Sequence, residues 1–137
     1  IPAAVAAALE CPDRQVIAMT GDGDIQMTSQ ELATVVQEGL SIVVIVVNNG
    51  MLGTIRMHQE MHYPGRTANT DLHNPDFVAL AGAHGFAAER ITQTAEFGPA
   101  LRRALDASGS TLIELVTDAE AIAHTATLSE IRARSTS

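Results

Sequence analysis

The run IVVIVVNNG, Ile42–Gly50, decides the fold. Six aliphatic residues follow one another with no polar alternation, and an Asn-Asn-Gly break stops them. A strand with one wet face would alternate, so this pattern predicts a parallel strand covered on both sides. Such strands come in βαβ units, and helical patterns should flank this one. Upstream, Thr28 and Ser29 are N-cap candidates, with Glu31 at capping-box distance from Thr28. They open a helix over Ser29–Glu38 that Gly39 ends. Before it, QVIAMT (Gln15–Thr20) is a second short apolar strand, closed by the glycine turn GDGDIQ, Gly21–Gln26. PAAVAAAL, Pro2–Leu9, is an Ala-rich helix with Pro in its first turn.

Downstream, Gly53–Met61 reads as helix and Tyr63–Asn74 as a long irregular loop. A helix over Pro75–His84 ends at Gly85, Ala87–Ile91 is a weak strand, and Thr94–Ala107 is helical. TLIELV (Thr111–Val116) is the last strand, and a helix over Thr127–Arg134 lies within a C-terminal tail, 118–137. The alternation predicts one α/β domain with a mainly parallel sheet and helices on both faces. Ligands of such sheets bind at the carboxyl ends of the strands. GDGD and NNG both sit at such ends, and so on one edge.

Composition narrows the function. The chain has 137 residues, 46% hydrophobic and 18% charged, which suits a globular domain with a real core. A net charge of −8 argues against a nucleic-acid partner. All eight basic residues are arginines, so a P-loop lysine and a Schiff-base lysine are both absent. No apolar run approaches the roughly 20 residues that span a bilayer. The single cysteine, Cys11, forms no internal disulfide, which fits a cytoplasmic setting. The opening at Ile1, already in helical sequence, is expected of a piece of a longer protein.

The chemistry of GDGD and NNG points to a cation. Asp22 offers a hard carboxylate oxygen and Asn49 a carbonyl oxygen, donors that suit Mg²⁺ or Ca²⁺. Gly21 and Gly23 allow close backbone approach, and exposed N–H groups favour an anion such as a diphosphate. Asp24 fits beside a phosphate only if its side chain turns away. A calcium loop starting at Asp22 fails, with Met27 at its sixth position and Ala33 at its twelfth. A phosphatase-like pair, Asp22 and Asp24, has suitable spacing but no lysine to complete it. HQEMH, His58–His62, lacks the Glu after the first His that a zinc protease needs. Arg56 and Arg66 read as solvated charges, with a substrate carboxylate or an interdomain acid as the alternative. His73, His84 and His124 receive no role.

GDG at Gly21–Gly23, twenty-four residues, then NN at Asn48–Asn49 closely resembles the thiamine diphosphate signature. The text around it, from GDGDIQMTSQELATVVQEGLSIVVIVVNNGMLG through HNPDFVALAGAHGF to TLIELVTD, resembles the C-terminal cofactor domain of the acetolactate synthase and pyruvate decarboxylase superfamily. The resemblance implies the thiamine diphosphate-binding fold. It implies Mg²⁺ on Asp22, Asn49 and the carbonyl of Met51, holding the cofactor's diphosphate. Backbone groups of Gly21, Gly23, Asp24 and Ile25 would lie against that diphosphate. Relatives often carry Ser where this chain has Asp24, so the role of that side chain stays open.

It further implies an enzyme that decarboxylates a 2-keto acid, or joins the product to a second carbonyl compound. NNGMLGTIRMHQE is nearer the synthases than the decarboxylases, although many synthases differ at His58. The family's activating glutamate belongs to another domain, usually of a neighbouring subunit, so no catalytic residue is expected in this chain. The chain would be the C-terminal third of a homo-oligomeric enzyme, inactive alone. A noncatalytic module of the same fold is the alternative.

Overall fold

A computed structural model describes residues 1–136; Ser137, the last residue of the tail, lies outside them. Four strands form one parallel sheet: β1 (Val16–Gly21), β2 (Ile42–Asn48), β3 (Ala87–Ile91) and β4 (Thr111–Val116). Their spatial order is β1-β2-β4-β3. The register pairs Val16 with Ile42, Val43 with Thr111 and Ala87 with Thr111.

Among the described residues seven helices surround the sheet: α1 (Pro2–Glu10), α2 (Asp22–Thr28), α3 (Glu31–Gln37), α4 (Gly53–His62), α5 (Phe77–Ala83), α6 (Thr94–Asp106) and α7 (Leu128–Ser135). The steps β1 to β2 and β2 to β3 move one way across the sheet, and β3 to β4 moves back. Right-handed crossovers therefore place α6 on the opposite face from α2, α3 and α5. The cores follow that rule. Ile25, Leu32, Val35, Phe77 and Ala81 pack with Val44, Val46 and Leu112 on one face. Ala100 and Ala104 of α6 pack with Val43, Ile45, Ile91 and Ile113 on the other.

Ile42–Val46 of β2 are all buried, as the unbroken apolar run requires. Each such aliphatic side chain contributes about 1.5–3 kcal/mol on burial. The edge strand β1 is covered on one face only: Ile17 and Met19, in register with Val43 and Ile45 on the α6 face, are 48% and 73% exposed, because α6 packs over β3 and β4. Among the described residues no helix is long and apolar enough to cross a membrane.

Three local expectations need correction. GDGD is not a free turn, because β1 passes straight into α2 at Asp22. The Thr28–Glu31 capping box does not form. Ser29 and Gln30 both hold helical backbone angles between α2 and α3, so no extended residue stands where an N-cap must. Glu31 instead accepts from the Thr34 hydroxyl at 2.9 Å. The Tyr63–Asn74 segment is not wholly irregular, because residues 70–72 run antiparallel to 50–52. Leu52 N–H donates to Thr70 O and Leu72 N–H to Gly50 O, each at 2.8 Å.

Candidate cofactor site

The site lies at the carboxyl ends of β1 and β2. A cavity of about 250 Å³ opens there, lined by Gly21–Asp24, Asn49 and Met51 among others. The sheet brings these residues together because β1 and β2 are paired neighbours running the same way. Six of the seven residues singled out from sequence for the cofactor thus meet at one cavity. The seventh, Ile25, lies outside the cavity lining and is fully buried in the core, in the first turn of α2.

Asp22 is 3% exposed. Its Oδ1 accepts from Gly23 N–H at 3.0 Å. Its Oδ2 accepts from Gly50 N–H at 2.9 Å and from Asn74 Nδ2 at 2.7 Å. All three donors are neutral. The ion pairs among the described residues join Arg56 to Asp71, Arg90 to Asp76 and Glu114, Arg103 to Glu89, and Arg132 to Glu60. Asp22 is in none of them. A buried carboxylate is costly unless a cation or strong hydrogen bonds compensate it. Beside it Asn49 Oδ1 accepts from Met51 N–H at 3.2 Å, an Asx turn that orients the loop. One carboxylate among neutral oxygens fits a hard divalent cation such as Mg²⁺. Among the described residues no group of three or more His, Cys, Asp and Glu side chains converges.

Asp24 is exposed, and its carboxylate turns back to accept from Gly21 N–H at 3.3 Å. The second negative charge is therefore spent on the start of α2, and nothing in this arrangement favours a phosphatase pairing with Asp22. Gly23 has a packing reason. A Cβ there would stand 2.7 Å from Leu52 Cδ2 and 3.3 Å from Leu72 Cδ1. Gly53 is similarly tight, its missing Cβ falling 2.6 Å from Ile122 Cδ1 and 2.9 Å from Asn49 Nδ2.

Other expectations fall outside the cavity. Arg56 is not a solvated charge. Its side chain is 14% exposed, donates to Thr70 Oγ1 and pairs with Asp71, pinning the loop to α4. Arg66 lies over the Tyr63 ring at 5.9 Å. His58 and His62 stack with ring centroids 6.3 Å apart.

Sequence reasoning missed a polar network beneath Asp22. Asn48 Nδ2 donates to Glu114 Oε1 at 2.7 Å. Glu114 is 2% exposed in the middle of β4, and its Oε2 accepts from Arg90 Nε at 2.7 Å. That bond, with the charge of Glu114, raises the pKa of Arg90. Arg90 also reaches Asp76, the N-cap of α5, at 2.8 Å. Asp76 is held below its usual pKa, first by the Ala79 N–H it accepts and also by Arg90. The one sequence signal was a glutamate inside the apolar run TLIELV.

The comparisons with known proteins agree with this geometry. The family described as "Thiamine pyrophosphate enzyme, C-terminal TPP binding domain" matches residues 1–115. The acetolactate synthase large subunit of Corynebacterium glutamicum is 44% identical over 109 residues, covering 76% of this chain and 17% of its own. Acetolactate synthase isozyme 3 large subunit of Escherichia coli is 38% identical over 107 residues, 77% of this chain and 19% of its own. A solved thiamine diphosphate-dependent 4-hydroxybenzoylformate decarboxylase from Rhodococcus jostii superposes with a TM-score of 0.80 at 36% identity, over 86% of this chain and 22% of its own. The chain thus spans about a fifth of the length of these relatives. With the parallel α/β fold and the GDG and NN loops meeting at one cavity, the chain belongs to the thiamine pyrophosphate enzymes, as their C-terminal TPP-binding domain.

Proposed function

We propose that this chain holds the diphosphate of thiamine diphosphate through Mg²⁺, as one part of an acetolactate synthase-like enzyme. The observation that carries the reading is the buried Asp22 carboxylate, balanced by neutral donors alone and facing a cavity that Asn49 and Met51 share. Asp22, Asn49 and the Met51 carbonyl would bind the cation. The backbone of Gly21, Gly23, Asp24 and Ile25, where β1 passes into α2, would lie along the diphosphate.

With the cofactor bound, the chemistry available is decarboxylation of a 2-keto acid and transfer of the product to a second carbonyl compound. This chain contributes binding and orientation to that chemistry. The titratable side chains lining the cavity are Asp22 and Asp24, the first committed to its N–H donors and the second to Gly21. Proton transfer would come from the rest of the enzyme and a neighbouring subunit, in a cytoplasmic homo-oligomer.

Calorimetry with thiamine diphosphate, with and without Mg²⁺, tests the reading. Binding should require Mg²⁺, and Asp22→Ala should weaken it at least about tenfold, equivalent to about 1.4 kcal/mol. Binding that ignores Mg²⁺, or that survives Asp22→Ala unchanged, would overturn it.

A further inference from the structure

The network beneath Asp22 contains a closed square. Two acceptors, Asp22 Oδ2 and Asn48 Oδ1, share the same two donors. Gly50 N–H reaches them at 2.9 and 3.1 Å, and Asn74 Nδ2 at 2.7 and 2.9 Å. Both amides are held in one orientation. Asn48 must turn its Nδ2 to Glu114 Oε1, which leaves Oδ1 toward Asp22. Asn74 must turn its Oδ1 to Gln26 Nε2, 2.8 Å away, which leaves Nδ2 toward Asp22. Flipping either amide would set oxygen against oxygen and nitrogen against nitrogen. Gln26 also donates to the Asp22 backbone carbonyl at 3.3 Å, so α2 and the loop leading into α5 are tied at one point.

We infer that Asn74 is a positioning residue that locks the Asp22 carboxylate for a small, geometrically demanding cation. The inference rests on the Mg²⁺–diphosphate reading and deepens it. Asn74 and Gly50 occupy Oδ2, so the carboxylate keeps one rotamer and Oδ1 keeps only the Gly23 N–H. Mg²⁺ demands near-ideal octahedral geometry at short range, whereas Ca²⁺ accepts looser, longer coordination. Freeing the carboxylate should therefore cost Mg²⁺ more than Ca²⁺. A group that merely supported the fold would weaken both alike.

The test is calorimetry of thiamine diphosphate with the full chain, its Asn74→Leu variant and its Gln26→Leu variant, each with Mg²⁺ and with Ca²⁺. Asn74→Leu should weaken Mg²⁺-supported binding about 10- to 100-fold, the usual effect of losing a residue that orients a metal ligand. Ca²⁺-supported binding should fall no more than about threefold, given its tolerant geometry. Gln26 is exposed, and its replacement removes the bond that orients Asn74 without emptying the interior. It should give a smaller loss in the same ion order, and it decides the matter if Asn74→Leu does not fold. Equal losses with both ions, or no loss, would overturn the inference while leaving the functional reading intact. No Mg²⁺-dependent binding by the unsubstituted chain would overturn both.

Discussion

Arg132→Met tests whether the C-terminal helix is clamped by one buried charge. Glu60 on α4 is fully buried. Its Oε2 accepts from Arg132 Nε and from Gly65 N–H, each at 2.9 Å, and its Oε1 accepts from Arg132 Nη2. The Arg132 hydrogen bonds, chiefly, hold the Glu60 pKa at about 2 in place of 4.5. The whole of that difference would stabilise the folded chain by about 3 kcal/mol at neutral pH. The Arg132 side chain is 48% exposed, and solvent screening reduces the contribution to about 2 kcal/mol. The sign follows from the depressed pKa. The stabilisation is complete above the unfolded value near 4.5 and is lost as pH falls toward about 2. In Arg132→Met the carboxylate is stranded, and its protonation relieves the fold where in the parent it weakens it. Urea unfolding at pH 7 should show the variant about 2 kcal/mol less stable, with the gap at pH 3 less than about half as large. A gap below about 0.5 kcal/mol at pH 7, the range of an ordinary surface substitution, would refute the clamp. So would a gap that does not change with pH.

Phe77→Ala removes the largest fully buried side chain, at the start of α5. It should cost about 3–5 kcal/mol, read as a fall in the urea midpoint. Thr111 Oγ1 is a buried side-chain atom without a hydrogen-bond partner among the described residues. Thr111→Val keeps the shape and removes the stranded hydroxyl, so it should raise stability by about 1 kcal/mol in thermal unfolding.

Much of the fold was legible because the strands that carry it are buried on both faces. IVVIVV and TLIELV could hardly be anything else, and the observed strands end within a residue of the expected ones. The capping box expected from sequence did not form, and one that was not singled out did. Thr127 and Glu130 exchange both capping bonds, at 3.2 and 2.9 Å, while the same pattern at Thr28 and Glu31 lies idle in a continuing helical path. The strand order was not legible, since nothing local says that β4 inserts between β2 and β3. At the site, the residues that line the cavity carried a recognisable spacing. The side chains that reach Asp22 and Asn48 from farther along the chain did not. Asn74 is 52 residues from Asp22 and Glu114 is 66 from Asn48, and their partnership exists only once the sheet has formed. The two adjacent asparagines do different work, Asn48 as the last residue of β2 and Asn49 just beyond it. Asn48 turns to Glu114 beneath the site, and Asn49 lines the cavity.

The contact of Gly23 with Leu52 and Leu72 changes how variants of the GDG loop are to be interpreted. A side chain at position 23 would first press on the Leu52 and Leu72 methyls, on the two segments bridged at Met51 and Asp71. Lost binding in such a variant would include the effect of repacking those leucines, so a glycine's importance there is no direct measure of its nearness to the cofactor. Half of what looks like a recognition motif is an assembly instruction, written in the same three letters.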